Sequence, residues 1–371
     1  MRRSAARDVR AAIADAGRRA VTPLALERDV VRHLTRVVPF DRWCGLTIDP
    51  ATGHPTGGYH DEGLPVVRMP RLLEIENAAT PDFLALSTLA RPPARVRTLA
   101  EATGGDLRRS ARFRDVLEPS GVRHEVRVPL RCGGGTWGVL ALFRGSDERD
   151  FSPAETGLLA SVAPVVGEGL RRTVVLGQSP ARSDDGPGLL LCTVAEQVTV
   201  DSATGSARRR LAELDDGTTG GVPYAIASLA HSARHDPAAG PRRARMRTRT
   251  GEWITVHAER LGPGLVSVIL EPTPPHEVAE LWADAHGLTA RERDVARLAA
   301  RGLTNAEIAG VLFLSPYTVQ DYLKQVFTKT GVAGRTELAA TLFAGADAPV
   351  PRRRIPGPTR PSREQGSRAP S

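Results

Sequence analysis

Lysine is almost missing from this 371-residue chain: only Lys324 and Lys329 occur, although lysine and arginine together number 50. Arginine carries the rest of the positive charge, the bias expected where GC-rich codons favour arginine over lysine. Cysteine is as sparse. Cys44, Cys132 and Cys192 are scattered with no CxxC pair, which argues against a disulfide scaffold or a zinc site and fits a reducing cytosol. No run of about 18 apolar residues exists, so no membrane span is expected. Arg2-Arg3 opens the chain, but Arg7, Asp8, Arg10 and Asp15 leave no apolar run behind it, so no secretion signal is read there. The expected location is the cytoplasm. There is also no P-loop, GxSxG, HExxH or kinase signature, and no paired acidic residues after a strand to open a phospho-acceptor receiver. The expectation is a protein that is not an enzyme and uses no cofactor or metal.

The residues that are present make a globular chain. Hydrophobic residues make up 41 % and charged residues 25 %, enough for two or three domains with cores of their own. The net charge of +8 points to an anionic partner, nucleic acid or membrane, with arginine-rich composition explaining part of the excess.

Residues 1–22 read as a helix or arm. A first domain is expected over 23–175. Val126, Val128 and Leu130 alternate with Glu125, Arg127 and Pro129, the pattern of a strand with one buried face. Cys132-Gly133-Gly134-Gly135 turns it into a second strand, Thr136–Arg144. Ser152, Pro153 and Glu155 form a capped helix start. Residues 176–187 are a polar linker. A second domain, 188–275, opens with a strand at Leu189–Cys192. Helical patches come next at 207–214 and 223–231, and strands near 243–249, 253–260 and 265–271 close it. From Val278 the pattern is purely helical, and 346–371 is a basic tail expected to be disordered.

The region 280–345 has three helix starts fixed by local chemistry. Thr289-Ala290-Arg291-Glu292 and Thr304-Asn305-Ala306-Glu307 are capping boxes, and Ser315-Pro316 is a capped start with proline at the first position. Leu303 with Ile308, and Leu314 with Val319, sit at staple positions. Only Phe313, Leu314 and the cap separate the second helix from the third, as a helix-turn-helix over 304–323 requires. Val319, Leu323 and Val326 make the third helix's buried face. Tyr317, Gln320, Asp321, Lys324 and Thr328 make the opposite one, which a major groove can accept. Gly331 stops the helix, and Leu338, Ala339 and Leu342 stripe a fourth.

Leu288-Thr289-x-Arg291-Glu292, Gly302-Leu303-x-Asn305-x-x-Ile308-Ala309, Ser315-x-x-Thr318-Val319-x-x-x-Leu323, Lys329-x-Gly331-Val332 and Arg335-Thr336-Glu337 together resemble the LuxR-type helix-turn-helix family. That resemblance implies a four-helix DNA-binding domain whose third helix enters the major groove. It places Gln320, Asp321 and Lys324 toward bases and Ser315 and Thr318 at phosphates. Thr304, Asn305, Lys329 and Arg335 complete the expected DNA-facing set. It also implies a fourth helix that pairs two copies, here through Leu338, Ala339 and Leu342. Gln320 stands where a basic residue is usual and Tyr322 where histidine is. Glutamine favours adenine, so the preferred site should differ from that of relatives. For Gln320 and Asp321 a base contact and a solvent-facing pair stay equally open.

The first region resembles a GAF domain through an opening helix at 26–38, the strand near Trp43–Ile48, the glycine hairpin and the capped closing helix. The second resembles a PAS-type domain through its closing strands with Trp253. The fold class expected is therefore multidomain α+β: GAF-like and PAS-like antiparallel-sheet domains followed by an all-α four-helix LuxR-type helix-turn-helix domain. Within the sheet domains, His60-Asp61-Glu62 reads as a surface loop rather than a metal site. Cys44 and Cys132 read as inert core thiols and His124 as an exposed strand end. Trp43, Trp137 and Trp253 read as core. The function expected is a homodimeric, sequence-specific bacterial transcriptional regulator that binds double-stranded DNA. A small effector at the N-terminal domains and RNA polymerase are further partners. The alternative is a non-enzymatic scaffold whose helix-turn-helix no longer reads DNA.

Overall fold

A computed structural model describes residues 2–59, 63–175, 186–214, 221–235 and 240–342. His60-Asp61-Glu62, residues 176–185 of the linker and the basic tail lie outside the described residues.

The first unit runs α1 (Arg2–Arg19), α2 (Pro23–Leu34), β1 (Arg42–Ile48), β2 (Pro55–Tyr59), α3 (Met69–Glu76), α4 (Leu86–Leu89), β3 (Arg97–Thr98), α5 (Leu99–Thr103), β4 (His124–Cys132), β5 (Gly135–Arg144) and α6 (Pro153–Val175). Its strands form an antiparallel sheet in the order β2-β1-β5-β4-β3. Ile13, Leu26, Val30, Leu159, Val162 and Leu170 from α1, α2 and α6 pack on Val126, Val128, Leu140 and Leu142 to form a core on one face. Gly169 permits the close crossing of α1 and α6, because a Cβ there would lie 2.8 Å from Leu26 Cδ2 and 3.1 Å from Gly17 Cα.

The other face of β4 is buried too, which corrects the half-buried strand inferred from its alternation. The segment 64–117 covers it with Leu72, Phe113, Val116 and Leu117. Glu125 and Arg127 point into this layer and meet opposite charges brought from elsewhere in the chain. Arg112 Nη2 donates to Glu125 Oε2 (2.8 Å) and Arg127 Nε to Glu125 Oε1 (2.8 Å). Arg127 Nη2 lies 2.7 Å from Glu76 Oε1, and Glu76 Oε2 accepts from the Leu86 amide (2.9 Å). Every member is satisfied, the condition under which buried charge is tolerated.

The second unit runs β6 (Gly188–Val194), β7 (Val198–Ala203), α7 (Gly205–Glu213), α8 (Tyr224–His235), β8 (Arg242–Arg247), β9 (Trp253–Gly262) and β10 (Leu265–Pro272). Its sheet order, β7-β6-β10-β9-β8, repeats that of the first: second strand, first, fifth, fourth, third. β7 is an edge strand whose outer positions are mostly exposed and polar.

Helix α8 lies between the two sheets. Its Ile226, Leu229 and Ala230 share one core with Leu46, Ile48 and Val139 of the first sheet and Val256, Val268 and Leu270 of the second. The apolar residues that dominate α8 are buried on both sides, as expected of a helix packed between two sheets. Arg245 on β8 clamps Asp49 beyond the end of β1, with Nη2–Oδ1 at 2.7 Å and Nε–Oδ2 at 3.1 Å. The Arg245 amide donates to the same carboxylate (3.0 Å), so Asp49 also satisfies an edge-strand donor.

The chain then turns wholly helical: α9 (Pro275–Ala285), α10 (Ala290–Ala300), α11 (Asn305–Leu312), α12 (Pro316–Thr330) and α13 (Arg335–Leu342). Helix α9 touches every part. Ala285 belongs to the first unit's core, Trp282 and Ala283 to the C-terminal core, and Glu277 pairs with Arg243 of β8. Among the described residues, no helix is long and apolar enough to cross a membrane.

Candidate nucleic-acid interface

Local hydrogen bonds fix each helix start of the C-terminal unit. Thr289 N donates to Glu292 Oε2 (2.7 Å) and Glu292 N to Thr289 Oγ1 (3.4 Å). Thr304 and Glu307 repeat the box at 2.7 and 3.3 Å. Ser315 Oγ accepts from the Thr318 amide (3.0 Å), with Pro316 at the first helical position. Helix α11 ends on Phe313 in the left-handed region, φ 55°, a conformation glycine normally takes. That residue turns the chain into α12. Val295, Ile308, Val319, Leu323, Val326 and Leu338 close a core beneath α12.

The outer side of α12 is open. Tyr317, Gln320, Asp321, Lys324 and Thr328 are all exposed. Among the described residues, Gln320, Asp321 and Lys324 have no side-chain hydrogen bond or ion pair. Thr328 Oγ1 donates back to Lys324 O (2.8 Å). Ser315 Oγ and Thr318 Oγ1 bond one another (2.8 Å) at the helix N-terminus, a position that favours anions.

Other expected DNA-facing residues are engaged internally. Lys329 Nζ pairs with the buried Glu292 carboxylate (2.7 Å) and donates to Gly287 O (3.3 Å). Its ammonium ties the end of α12 to the start of α10. Arg335 Nη2 donates to Asn305 Oδ1 (2.5 Å) and Nη1 to Leu303 O, joining α13 to α11. Thr304 Oγ1 is held by Glu307 (2.8 Å). Lys329→Ala is therefore expected to lower stability against denaturation by about 1 kcal/mol. Its DNA affinity should change less than that of Lys324→Ala, which a titration at fixed salt would check.

Leu338 and Leu342 are buried in the unit's own core and Ala339 is half-buried. The stripe faces inward, so it fills the domain; Thr336, Glu337, Ala340 and Thr341 are the exposed positions on α13. Sequence reasoning passed over Phe313, which is 95 % exposed beside Tyr317 at 74 %. The signal was available: α11 must end between Leu312 and Ser315, and no glycine is there to end it.

In the sheet units, Cys44 is buried, and burial pushes its thiol up to about 12. Burial and the adjacent Glu168 carboxylate likewise push Cys132 up to about 12. Neither is a ready thiolate. Trp43 and Trp137 are buried. Trp253 is half-buried on the wall of a cleft, unlike the core position expected of it. His124, expected to be exposed, is half-buried, with Nε2 3.1 Å from Glu148 O. The space between the first sheet and segment 64–117 shrinks to about 20 Å³, closed by Glu76, Arg127 and Tyr224 of α8, room for about one water.

Residues 286–342 match the family model described as bacterial regulatory proteins, luxR family. The C-terminal unit is a luxR-family domain. Residues 23–170 match the GAF domain model, so the first sheet unit is a GAF domain. Transcriptional regulators share the luxR-family likeness. Mb0914c of Mycobacterium bovis, provisionally named an HTH-type transcriptional regulator, is 53 % identical over 51 residues, 14 % of this chain and 6 % of that protein. The DNA-binding transcriptional activator DevR/DosR of Mycobacterium tuberculosis is 39 % identical over 61 residues, 16 % of this chain and 28 % of that one. The transcriptional regulatory protein UhpA of Escherichia coli is 45 % identical over 58 residues, 16 % of this chain and 30 % of that one. The chain thus spans between 6 % and 30 % of the length of these relatives. Among solved structures, a GAF domain/HD domain protein from Geobacter sulfurreducens is similar at 17 % identity and a TM-score of 0.33, over 42 % of this chain and 97 % of that one.

Proposed function

We propose that the protein is a non-enzymatic, sequence-specific transcriptional regulator that reads double-stranded DNA with α12, acts as a homodimer in the cytoplasm and presents the bound site to RNA polymerase. The observation that carries this reading is the exposed face of α12 in a luxR-family domain, where Gln320, Asp321 and Lys324 have no internal partner among the described residues. Ser315 and Thr318 then serve phosphate, Lys324 phosphate or a base edge, and Gln320 an adenine.

The second unit is proposed to be a PAS-type module, on the ground that its strand order repeats that of the GAF domain. Effector control would pass through α9. That helix is held by the Arg243–Glu277 pair on one side and by Arg293–Asp284 (2.6 Å) on the other. A change in how the sheet units meet shifts α9, and with it the luxR-family domain.

Lys324→Ala tests the DNA reading. The variant is expected to lose about 1–3 kcal/mol of affinity, or about one unit of slope in log affinity against log salt. One observation favours the scaffold reading instead. Across α11 and α12, Lys324 is the single lysine outside an ion pair, and Asp321 beside it is exposed. An unchanged affinity and slope in Lys324→Ala would favour the scaffold.

A further inference from the structure

The GAF domain and the second unit enclose a cleft of about 870 Å³, within the range of small-molecule sites. It is distinct from the closed space under segment 64–117. Leu84, Leu86, Leu89 and Pro92 give it apolar wall. Its rim is cationic: Arg91, Arg95 and Arg97 come from the GAF domain and Arg242 from the start of β8. Among the described residues, the Arg91 and Arg95 side chains have no hydrogen bond or ion pair. The acidic residue among the described lining is Glu76, already engaged by Arg112 and Arg127. His54 reports the same field from inside the cleft. Burial and then Arg242 pull its imidazole down to about 4, with Arg91 adding to the pull and the Asp49 carboxylate opposing it. Arg91 and Arg95 thus both border one cavity, and neither has a described counter-ion.

We propose that this interdomain cleft binds an organic anion, a phosphate or carboxylate head on an apolar body. The guanidinium forks of Arg91 and Arg95 take the head, and the leucine and proline wall takes the body. A second cleft, of about 620 Å³, offers a contrast. There Arg245 binds Asp49, Arg247 donates to Gly251 O (3.2 Å) and Arg249 to Ala212 O (2.8 Å), so these three arginines hold the fold. An anion in the first cleft would also touch Arg242, one residue before the Arg243 that grips α9. This regulatory consequence rests on the proposed effector reading; the binding itself does not.

The test uses the DNA-free full chain, so its outcome is independent of DNA recognition. Phenyl phosphate and phenylacetate share an apolar body and differ in head; benzyl alcohol is their neutral counterpart. Calorimetric titration at low salt is expected to show saturable binding of at least one anion, and none of the alcohol. Arg91→Ser/Arg95→Ser changes two exposed side chains and should leave the fold intact, as its melting curve will show. In it the anion's affinity should fall at least about tenfold, the loss of a charge-assisted contact. Whichever anion binds identifies the head. No binding of either anion, equal binding to the double variant, or equal binding of benzyl alcohol would overturn the proposal.

Discussion

Glu27→Gln is expected to remove a pH-dependent loss of stability worth about 3 kcal/mol between about pH 5 and about pH 8. Glu27 lies on α2, is 1 % exposed, and neither carboxylate oxygen has a hydrogen-bond partner among the described residues. It faces Gly45 of β1 so closely that a Cβ there would fall 2.2 Å from Oε2. Burial alone raises its carboxyl from 4.5 to about 8, because a lone buried charge has no compensation. A raised acid pKa means that the folded state holds a proton the unfolded chain releases. Glu27's contribution to stability is therefore fully present below about pH 4.5 and is lost as pH climbs to about 8. Glutamine is neutral throughout, so denaturation curves of the variant across that range should be flatter than those of the parent. Parallel pH profiles would show that Glu27 is solvated or paired.

Arg112→Met should cost about 3–5 kcal/mol, the loss typical when one partner leaves a buried ion pair. Arg112 is wholly buried and reaches Glu125 (2.8 Å), Glu76 (3.4 Å) and Asp82 (3.9 Å). Burial pushes Glu125 upward, but Arg112 and Arg127 more than reverse this and hold its carboxyl below the usual range. A depressed acid contributes stability that is present above its unfolded pKa and disappears as pH falls through the folded one. The penalty in Arg112→Met should therefore shrink in acid. Adding Glu125→Gln should restore part of the loss at neutral pH. A double variant no more stable than Arg112→Met would show that the guanidinium's packing, not its charge, matters.

Legibility depended on the range of the chemistry. The capping boxes at Thr289–Glu292 and Thr304–Glu307 and the capped start at Ser315 link residues three apart, and all can be read along the chain. The hairpin of β4 and β5 is equally local, with Gly133 and Gly134 at positive φ. Burial of Glu125 and Arg127 was not legible, because Arg112 and Glu76 arrive from distant positions. The same holds for Lys329 with Glu292 and Arg335 with Asn305, internal struts made by residues expected to face DNA. The placement of α8 did leave a trace: between Tyr224 and His231, Ala225, Ile226, Ala227, Leu229 and Ala230 are interrupted by Ser228 alone, so most of the helix surface is apolar. For β7, Val198 and Val200 alternate with Thr199 and Asp201, but the run is only four residues long before Ser202 breaks it.

Sequence reading by α12 is tested most directly by selecting the full-length protein against a random duplex DNA library at physiological salt. The expected result is enrichment of a two-fold motif containing adenine, with Gln320→Arg shifting that position toward guanine. Retention of all duplexes alike, governed by salt alone, would contradict it.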